Sequence, residues 1–255
     1  MSTPLKTWID RDGCLLRLRL NRPKANIIDA EMISALDTSL TKHADTSGLL
    51  AILIDAEGPH FSFGASVEEH LPDQCADMLK ALHGLVLRMV NSEIPILVAV
   101  HGQCLGGGLE VAMAGHLLFA KSDAMLGQPE IKLGVFAPAA SCLMPERMPR
   151  VLAEDLLYSG RSISGDEAKA AGLANAVSEN PEADALAWFD THIASLSGAS
   201  LRHAVKAARI GYAQRIAERI EAVEKLYLEG LMSTRDAVEG LEAFVAKRPV
   251  KWEHR

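Results

Sequence analysis

Apolar and polar positions alternate in one stretch of the N-terminal region and recur at helical spacing in the next. Leu16, Leu18 and Leu20 interleave with Arg17 and Arg19, the two-residue period of a strand with one face in a core and the other in water. Asn21-Arg22-Pro23-Lys24 ends that strand, because proline has no N–H to give to a ladder. From Asp29 to His43, Met32, Ile33, Leu36 and Leu40 fall on one face of a helix. Leu49-Leu50-Ala51-Ile52-Leu53-Ile54 is apolar throughout and short, which predicts a strand buried on both faces, closed by the turn at Gly58-Pro59. A second unit repeats the order, with a helix near Asp77 to Val90 and a strand over Ile96 to Val100 after Pro95. Strands alternating with helices predict an α/β domain whose strands are largely parallel. From about Ser200 the pattern is helical only, in three pieces: Leu201 to Arg209, Ala213 to Met232 and Ala237 to Lys247. These predict a core over residues 1–199 and a helical appendage over 200–255, packed on the core or reaching a neighbouring subunit.

Composition narrows the class of protein. The chain has 255 residues, 49% hydrophobic and 23% charged, enough for the core of one large domain with an appendage. A formal net charge of -7 argues against a nucleic-acid surface, which would be basic. Cys14, Cys75, Cys104 and Cys142 are scattered and form no C-x-x-C pair, which fits reduced thiols better than a disulfide framework or a zinc site. The N-terminal Met1-Ser2-Thr3-Pro4-Leu5-Lys6-Thr7-Trp8 has no long apolar run, and nothing later reaches the roughly 18 apolar residues of a membrane span. The expected compartment is the cytoplasm.

Three segments carry candidate chemistry. Ala99-Val100-His101-Gly102-Gln103-Cys104-Leu105-Gly106-Gly107-Gly108-Leu109-Glu110 reads as a buried strand, a glycine turn and a helix with a carboxylate in its first turn. Glycines there let a ligand approach the backbone, and the free N–H groups of a helix start face negative charge. Phe61-Ser62-Phe63-Gly64-Ala65-Ser66 follows the preceding strand, and Gly127-Gln128-Pro129-Glu130 supplies a second carboxylate beside a glycine. By itself each segment also reads as ordinary structure: a loop, a tight junction, a surface turn. Two carboxylates, Glu110 and Glu130, are what acid/base work on one substrate needs.

Phe63-Gly64-Ala65-Ser66, Gly106-Gly107-Gly108-Leu109-Glu110 and Gly127-Gln128-Pro129-Glu130-Ile131-Lys132-Leu133-Gly134 together resemble the enoyl-CoA hydratase/isomerase (crotonase) superfamily. The resemblance runs from Leu20-Asn21-Arg22-Pro23-Lys24-Ala25-Asn26 to the segment Glu239 to Arg248. It implies a spiral of ββα units and trimers, often stacked into hexamers, with an acyl-CoA as substrate. Coenzyme A would be part of that substrate rather than a cofactor, and no metal-ligand spacing is present. The backbone N–H groups of Ala65 and Gly107 would form the oxyanion hole for the thioester, with Glu110 and Glu130 as the catalytic pair. Lys24, Ala25 and Asn26 would meet the adenine and phosphates, Ser66 and Val67 would line the path to the thioester, and Phe244 and Lys247 would close the site. Two glutamates favour water addition, since other branches of the superfamily commonly keep one. Gly127 to Ser141 is very similar to the branch that hydrates cyclohexa-1,5-diene-1-carbonyl-CoA in anaerobic benzoyl-CoA degradation. After Gly134 the common proline-glycine and paired glycines give way to Val135-Phe136-Ala137-Pro138-Ala139-Ala140-Ser141-Cys142-Leu143. Side chains such as Phe136 thus stand near the expected acyl pocket, as a reshaped pocket would require.

Three rivals remain to be weighed. One is a general hydratase of linear enoyl-CoA esters on the same site. Gly102-Gln103-Cys104-Leu105-Gly106 also fits a nucleophile elbow with cysteine, which would need Asp155 or Asp166 and then His203 as partners. That reading places His203 inside an amphipathic helix and leaves the other two segments unexplained. A non-catalytic, RNA-binding member of the same fold is opposed by the acidic charge and by the two glutamates. His116, where many members have an acid, is expected to be structural.

Overall fold

The computed structural model describes residues 3–255; Met1 and Ser2, the start of the N-terminal stretch read above, lie outside them. In chain order the elements are β1 (Leu5–Asp10), β2 (Leu15–Leu20), α1 (Ala30–His43), β3 (Ala51–Ala56), α2 (Cys75–Val90), β4 (Ile96–Val100), β5 (Gln103–Leu105) and α3 (Gly107–Ala114). There follow β6 (Leu117–Lys121), β7 (Met125–Gly127), α4 (Pro138–Arg147), α5 (Arg150–Ser159), β8 (Ser162–Ser164), α6 (Gly165–Ala170), β9 (Ala176–Ser178), α7 (Pro181–His192), α8 (Gly198–Lys225) and α9 (Arg235–Val245). Among the described residues no helix is long and apolar enough to cross a membrane.

The strands form two sheets. The larger runs β1-β2-β3-β4-β6-β9, with β1 antiparallel to β2 and all other neighbours parallel. The smaller runs β5-β7-β8, and an isolated bridge between Ser62 and Cys104 extends it. The chain therefore climbs as a spiral: a strand in the large sheet, a short strand in the small one, then a helix. β4, β5 and α3 make one such turn, and β3, Phe61-Ser62 and α2 make the turn before it. This arrangement matters for the site, because every turn passes its strand-to-helix junction over the same place.

Alternation in β2 is as the sequence predicts, but its polar face is not in water. Leu16, Leu18 and Leu20 join the main core with α1 and α2, while Leu15 joins a second core under α7 with Leu53, Leu97, Phe119 and Phe189. Arg17, on that second face, is only 4% exposed. The charge is tolerable because Asp55 Oδ2 lies 2.6 Å from Arg17 Nη2 and Glu182 of α7 also binds it. Arg19 Nε binds Asp55 Oδ1 at 2.6 Å, and both guanidinium groups stack on the Trp8 ring, at 4.9 and 5.4 Å.

Two boundaries shift. The apolar run read from Leu49 gives a strand that starts at Ala51 and continues through Asp55, whose carboxylate is committed to the arginines. The first two C-terminal pieces merge into one 28-residue helix, α8, which passes through Gly211 without a break but ends at Lys225, short of the expected Met232. A π-helical turn over Leu226–Gly230 then precedes α9. Gly211 is tolerated because a glycine in a long, packed helix costs only about 1 kcal/mol. After α9 the tail folds back: Arg255 O accepts from Arg235 N, and Asp236 accepts from Glu253 N and His254 N. Trp252 then lies against Gly134 and Gly240.

Candidate active site

Three junctions meet because their backbones are laddered. Ser62 N donates to Gln103 O and Leu105 N to Ser62 O, at 3.0 Å each, so the loop after β3 is stitched to β5. On the other side of β5, Gly106 N donates to Gly127 O at 3.0 Å and carries the Glu130 turn alongside. Ser62 Oγ fixes the loop, donating to Asn26 O at 2.8 Å and accepting from Gly64 N. The result places Ala65 beside Gly107 and Glu130 beside Gly106.

Two glycines are required by that closeness. A methyl group on Gly107 would stand 3.0 Å from the Ala65 methyl and 3.1 Å from the Ala65 nitrogen. A methyl on Gly106 would stand 2.5 Å from Glu130 Oε1, and Gly106 has φ +49°. Neither the Ala65 N–H nor the Gly107 N–H is taken up by another described residue. Gly107 is the first residue of α3, so its N–H is one of the groups a helix start leaves free, at the positive end of the dipole. Side by side, these two donors can hold one oxygen that gains negative charge.

Glu110 is 2% exposed and sits in the first turn of α3. Its Oε1 accepts the Ala140 N–H at 2.8 Å, so it also caps the start of α4. Burial pushes this carboxyl above the usual range, with partial relief from the Ala140 N–H and from nearby His83. Glu130 lies in the short 3-10 turn Pro129–Leu133, which left-handed Gly134 ends. Burial, and then the negative charge of Glu110, push Glu130 up to about 8. The charge of Glu110 therefore makes ionisation of Glu130 harder.

Gln128, 1% exposed, is a site residue that the sequence reading quoted without assigning a role. With its amide turned to donate, its nitrogen lies 3.1 Å from both Glu130 oxygens. Turned over, its carbonyl can accept the proton of neutral Glu130, so one amide serves both states. His83 on α2 is buried, with Nδ1 2.5 Å from Glu224 Oε2 on α8. No pattern in the sequence singles out either histidine or glutamate, because their pairing spans 141 positions.

Other expected contacts are sorted by exposure and bonding. Lys24 is exposed, as a phosphate-facing cation needs to be. The Asn26 side chain is wholly buried and committed to the protein: Oδ1 accepts from Arg22 N, and Nδ2 donates to Glu57 O and His60 O. Asn26 shapes the loop that presents Lys24 and Ala25, and Ala25 O is itself engaged by Phe63 N. Ser66 Oγ caps the turn at Glu69 N, and Val67 packs on the core. Phe244 and Lys247 stand exposed at the end of α9, whose inner side packs on the turns at Glu68–His70 and Pro129–Leu133 of the same chain. Phe136 is half-buried, edge-on to Tyr227.

The cysteine elbow does not form a nucleophile. Cys104 is wholly buried and burial pushes its thiol up, away from the thiolate. His203 is bound to its own helix at Ala199 O, and Asp155 is paired with Arg161. His116 is structural, as expected: its Nδ1 accepts the Ile96 N–H at 3.0 Å, and burial with Arg209 and Arg147 nearby keeps the ring neutral.

Comparison with known proteins shows the family and the fold. Residues 10–255 match the family profile described as enoyl-CoA hydratase/isomerase. The chain is 63% identical over 254 residues to the cyclohexa-1,5-dienecarbonyl-CoA hydratase of Thauera aromatica, covering 100% of this chain and 98% of that one. It is 32% identical over 244 residues to a probable enoyl-CoA hydratase of Bacillus subtilis (strain 168), covering 91% and 92%. An enoyl-CoA hydratase/isomerase crystal structure from Mycobacterium paratuberculosis shares the fold, with a TM-score of 0.86 over 95% of this chain and 98% of that one at 22% identity. The chain belongs to the enoyl-CoA hydratase/isomerase family.

Proposed function

We propose that this chain is a hydro-lyase that adds water 1,4 across the ring of cyclohexa-1,5-diene-1-carbonyl-CoA, giving 6-hydroxycyclohex-1-ene-1-carbonyl-CoA. The observation that carries the substrate is the full-length 63% identity to a hydratase of that name. The observation that carries the chemistry is a buried carboxylate, Glu110, whose charge raises a second, half-buried one, Glu130, beside two free backbone donors. A hydratase of linear enoyl-CoA esters is the second reading, favoured by the relative in Bacillus subtilis.

In the proposed mechanism the thioester oxygen sits on the N–H groups of Ala65 and Gly107. Fixed donors stabilise the charge that grows there, and losing one such donor typically costs about 2.7–4 kcal/mol of barrier. Glu110 is the base: the Ala140 N–H and His83 favour its ionised form. Glu130, raised by burial and then by the charge of Glu110, keeps its proton and is the acid. Glu110 takes a proton from water as its oxygen bonds to the ring carbon β to the thioester, and the π electrons pass into a dienolate. Glu130 gives its proton to the far end of that diene, and the ring double bond shifts between them. One water is consumed, and return of the proton from Glu110 to Glu130 resets the pair.

The pair can be tested directly. Glu110→Gln and Glu130→Gln should each lower kcat by roughly 10²–10⁴, measured by loss of the conjugated thioester absorbance. A variant that keeps full activity removes its residue from the mechanism.

The assembly and compartment belong to the same proposal: a homotrimer or stacked hexamer, in the cytoplasm, with coenzyme A entering only as part of the substrate. Exposed apolar side chains at Val151 and Tyr158 of α5 and at Ile131 support an interface between copies.

A further inference from the structure

Tyr227 is fully buried, yet its hydroxyl has no hydrogen-bond partner among the described residues. A buried phenol ordinarily finds one, so an orphaned O–H in a well-packed place points to a ligand. Tyr227 lies in the π-helical turn Leu226–Gly230. Such turns insert a residue into a helix and re-aim side chains, and they concentrate at functional sites. Its ring is edge-on to Phe136, centroids 5.2 Å apart. Phe136 belongs to the segment that joins the Glu130 turn to α4, the helix whose Ala140 N–H holds Glu110. The phenol is thus packed against the link between the two carboxylates. Burial pushes it up, and ionised carboxylates at Glu130 and Glu110 add to this, so it keeps its proton and remains a donor.

We propose that the Tyr227 hydroxyl donates a hydrogen bond to the oxygen that is added to, or lost from, the acyl group. The inference rests on the hydratase reading above. Ionised Glu110 only accepts, the Glu130 proton is directed at the ring carbon, and the N–H groups of Ala65 and Gly107 are spent on the thioester oxygen. A water whose protons point at glutamates still has a lone pair to be held while the other attacks. In the reverse direction the departing hydroxide gains charge, which a donor stabilises. Tyr227 is a buried side chain with an unspent donor, packed through Phe136 against the segment between the two carboxylates; His83 Nε2, also unpartnered, belongs to a ring tied to Glu224.

Tyr227→Phe keeps the ring and removes only the orphan. If the hydroxyl had no ligand, this change would leave the kinetics unaltered and the fold as stable or more so, since an unpaired buried polar atom is gone. The proposal expects an unchanged or higher Tm together with a kcat lowered about tenfold. It further expects affinity for the hydroxylated product, read as its inhibition constant, to weaken about tenfold, while affinity for cyclohex-1-ene-1-carbonyl-CoA, which lacks the hydroxyl, is unchanged. Kinetics and an affinity ratio equal to those of the parent would overturn it. So would a parent enzyme that binds the two thioesters equally well, a result that needs no variant. If the parent hydrates crotonyl-CoA and not the cyclic diene, the ring reading fails alone. The same comparison, with 3-hydroxybutanoyl-CoA and butanoyl-CoA, then decides the role of Tyr227.

Discussion

At the scale of single residues, burial raises both carboxyls of the site, and the two differ in what surrounds them besides. Glu110 has a helix start and an imidazole nearby, whereas Glu130 faces burial and the charge of Glu110. A carboxyl whose value is raised on folding binds more protons in the folded than in the unfolded state between about 4.5 and about 8. Its contribution to stability is therefore greatest below 4.5, and it is lost progressively as pH rises through that window. Glu130→Gln removes the penalty, so its Tm should exceed that of the parent by a few degrees at pH 9 and by little at pH 5. Thermal unfolding at the two pH values checks this; a variant less stable than the parent at pH 9 would contradict the assignment. Both glutamates were legible in the sequence because each stands beside a glycine in a quoted junction. Gln128 was visible in the same stretch, but its contact with Glu130 depends on the turn of the backbone. Tyr227 and His83 left no signal, since a missing or distant partner is a property of the packed chain.

Among the elements, β2 shows how a correct period can carry an incomplete picture. Alternation gives the two faces, but only the fold reveals that α7 covers the arginine face and supplies Glu182. The cluster is buried, so the loss of one partner should strand charge. Asp55→Ala should cost about 3–5 kcal/mol of unfolding free energy in urea. Its kcat should stay near that of the parent, because Asp55 projects towards α7 while Leu16 and Leu18 back the core on the site side. A loss below about 1 kcal/mol would mean that Glu182 and Asp10 already suffice. In α8 the opposite error arises: two helical pieces, Leu201 to Arg209 and Ala213 to Met232, are expected, but the helix continues between them because its inner residues Ala213, Ile216 and Ile220 are packed. The π-helical turn after it is invisible to a period of 3.6, and it is where Tyr227 lies.

For the whole molecule, the spiral explains why three segments far apart in sequence make one site. Each turn delivers a strand-to-helix junction to the edge of the small sheet, where β5 is flanked by Phe61-Ser62 and β7. The order of strands and helices was legible from apolar runs and glycines, including Ile96 to Val100 with the bounds observed. The division into two sheets was not, because Gln103–Leu105 and Met125–Gly127 are three residues each, too short to show a period. Side chains from Val135 to Leu143 stand where the resemblance leads one to expect glycines, and Phe136 meets the Tyr227 ring edge-on from that segment. The most direct test is to supply the purified protein with cyclohexa-1,5-diene-1-carbonyl-CoA and with crotonyl-CoA and to compare kcat/KM from the loss of conjugated absorbance. The account predicts a clear preference for the cyclic diene, with 6-hydroxycyclohex-1-ene-1-carbonyl-CoA as product; a preference for crotonyl-CoA would contradict the ring substrate and leave hydration standing.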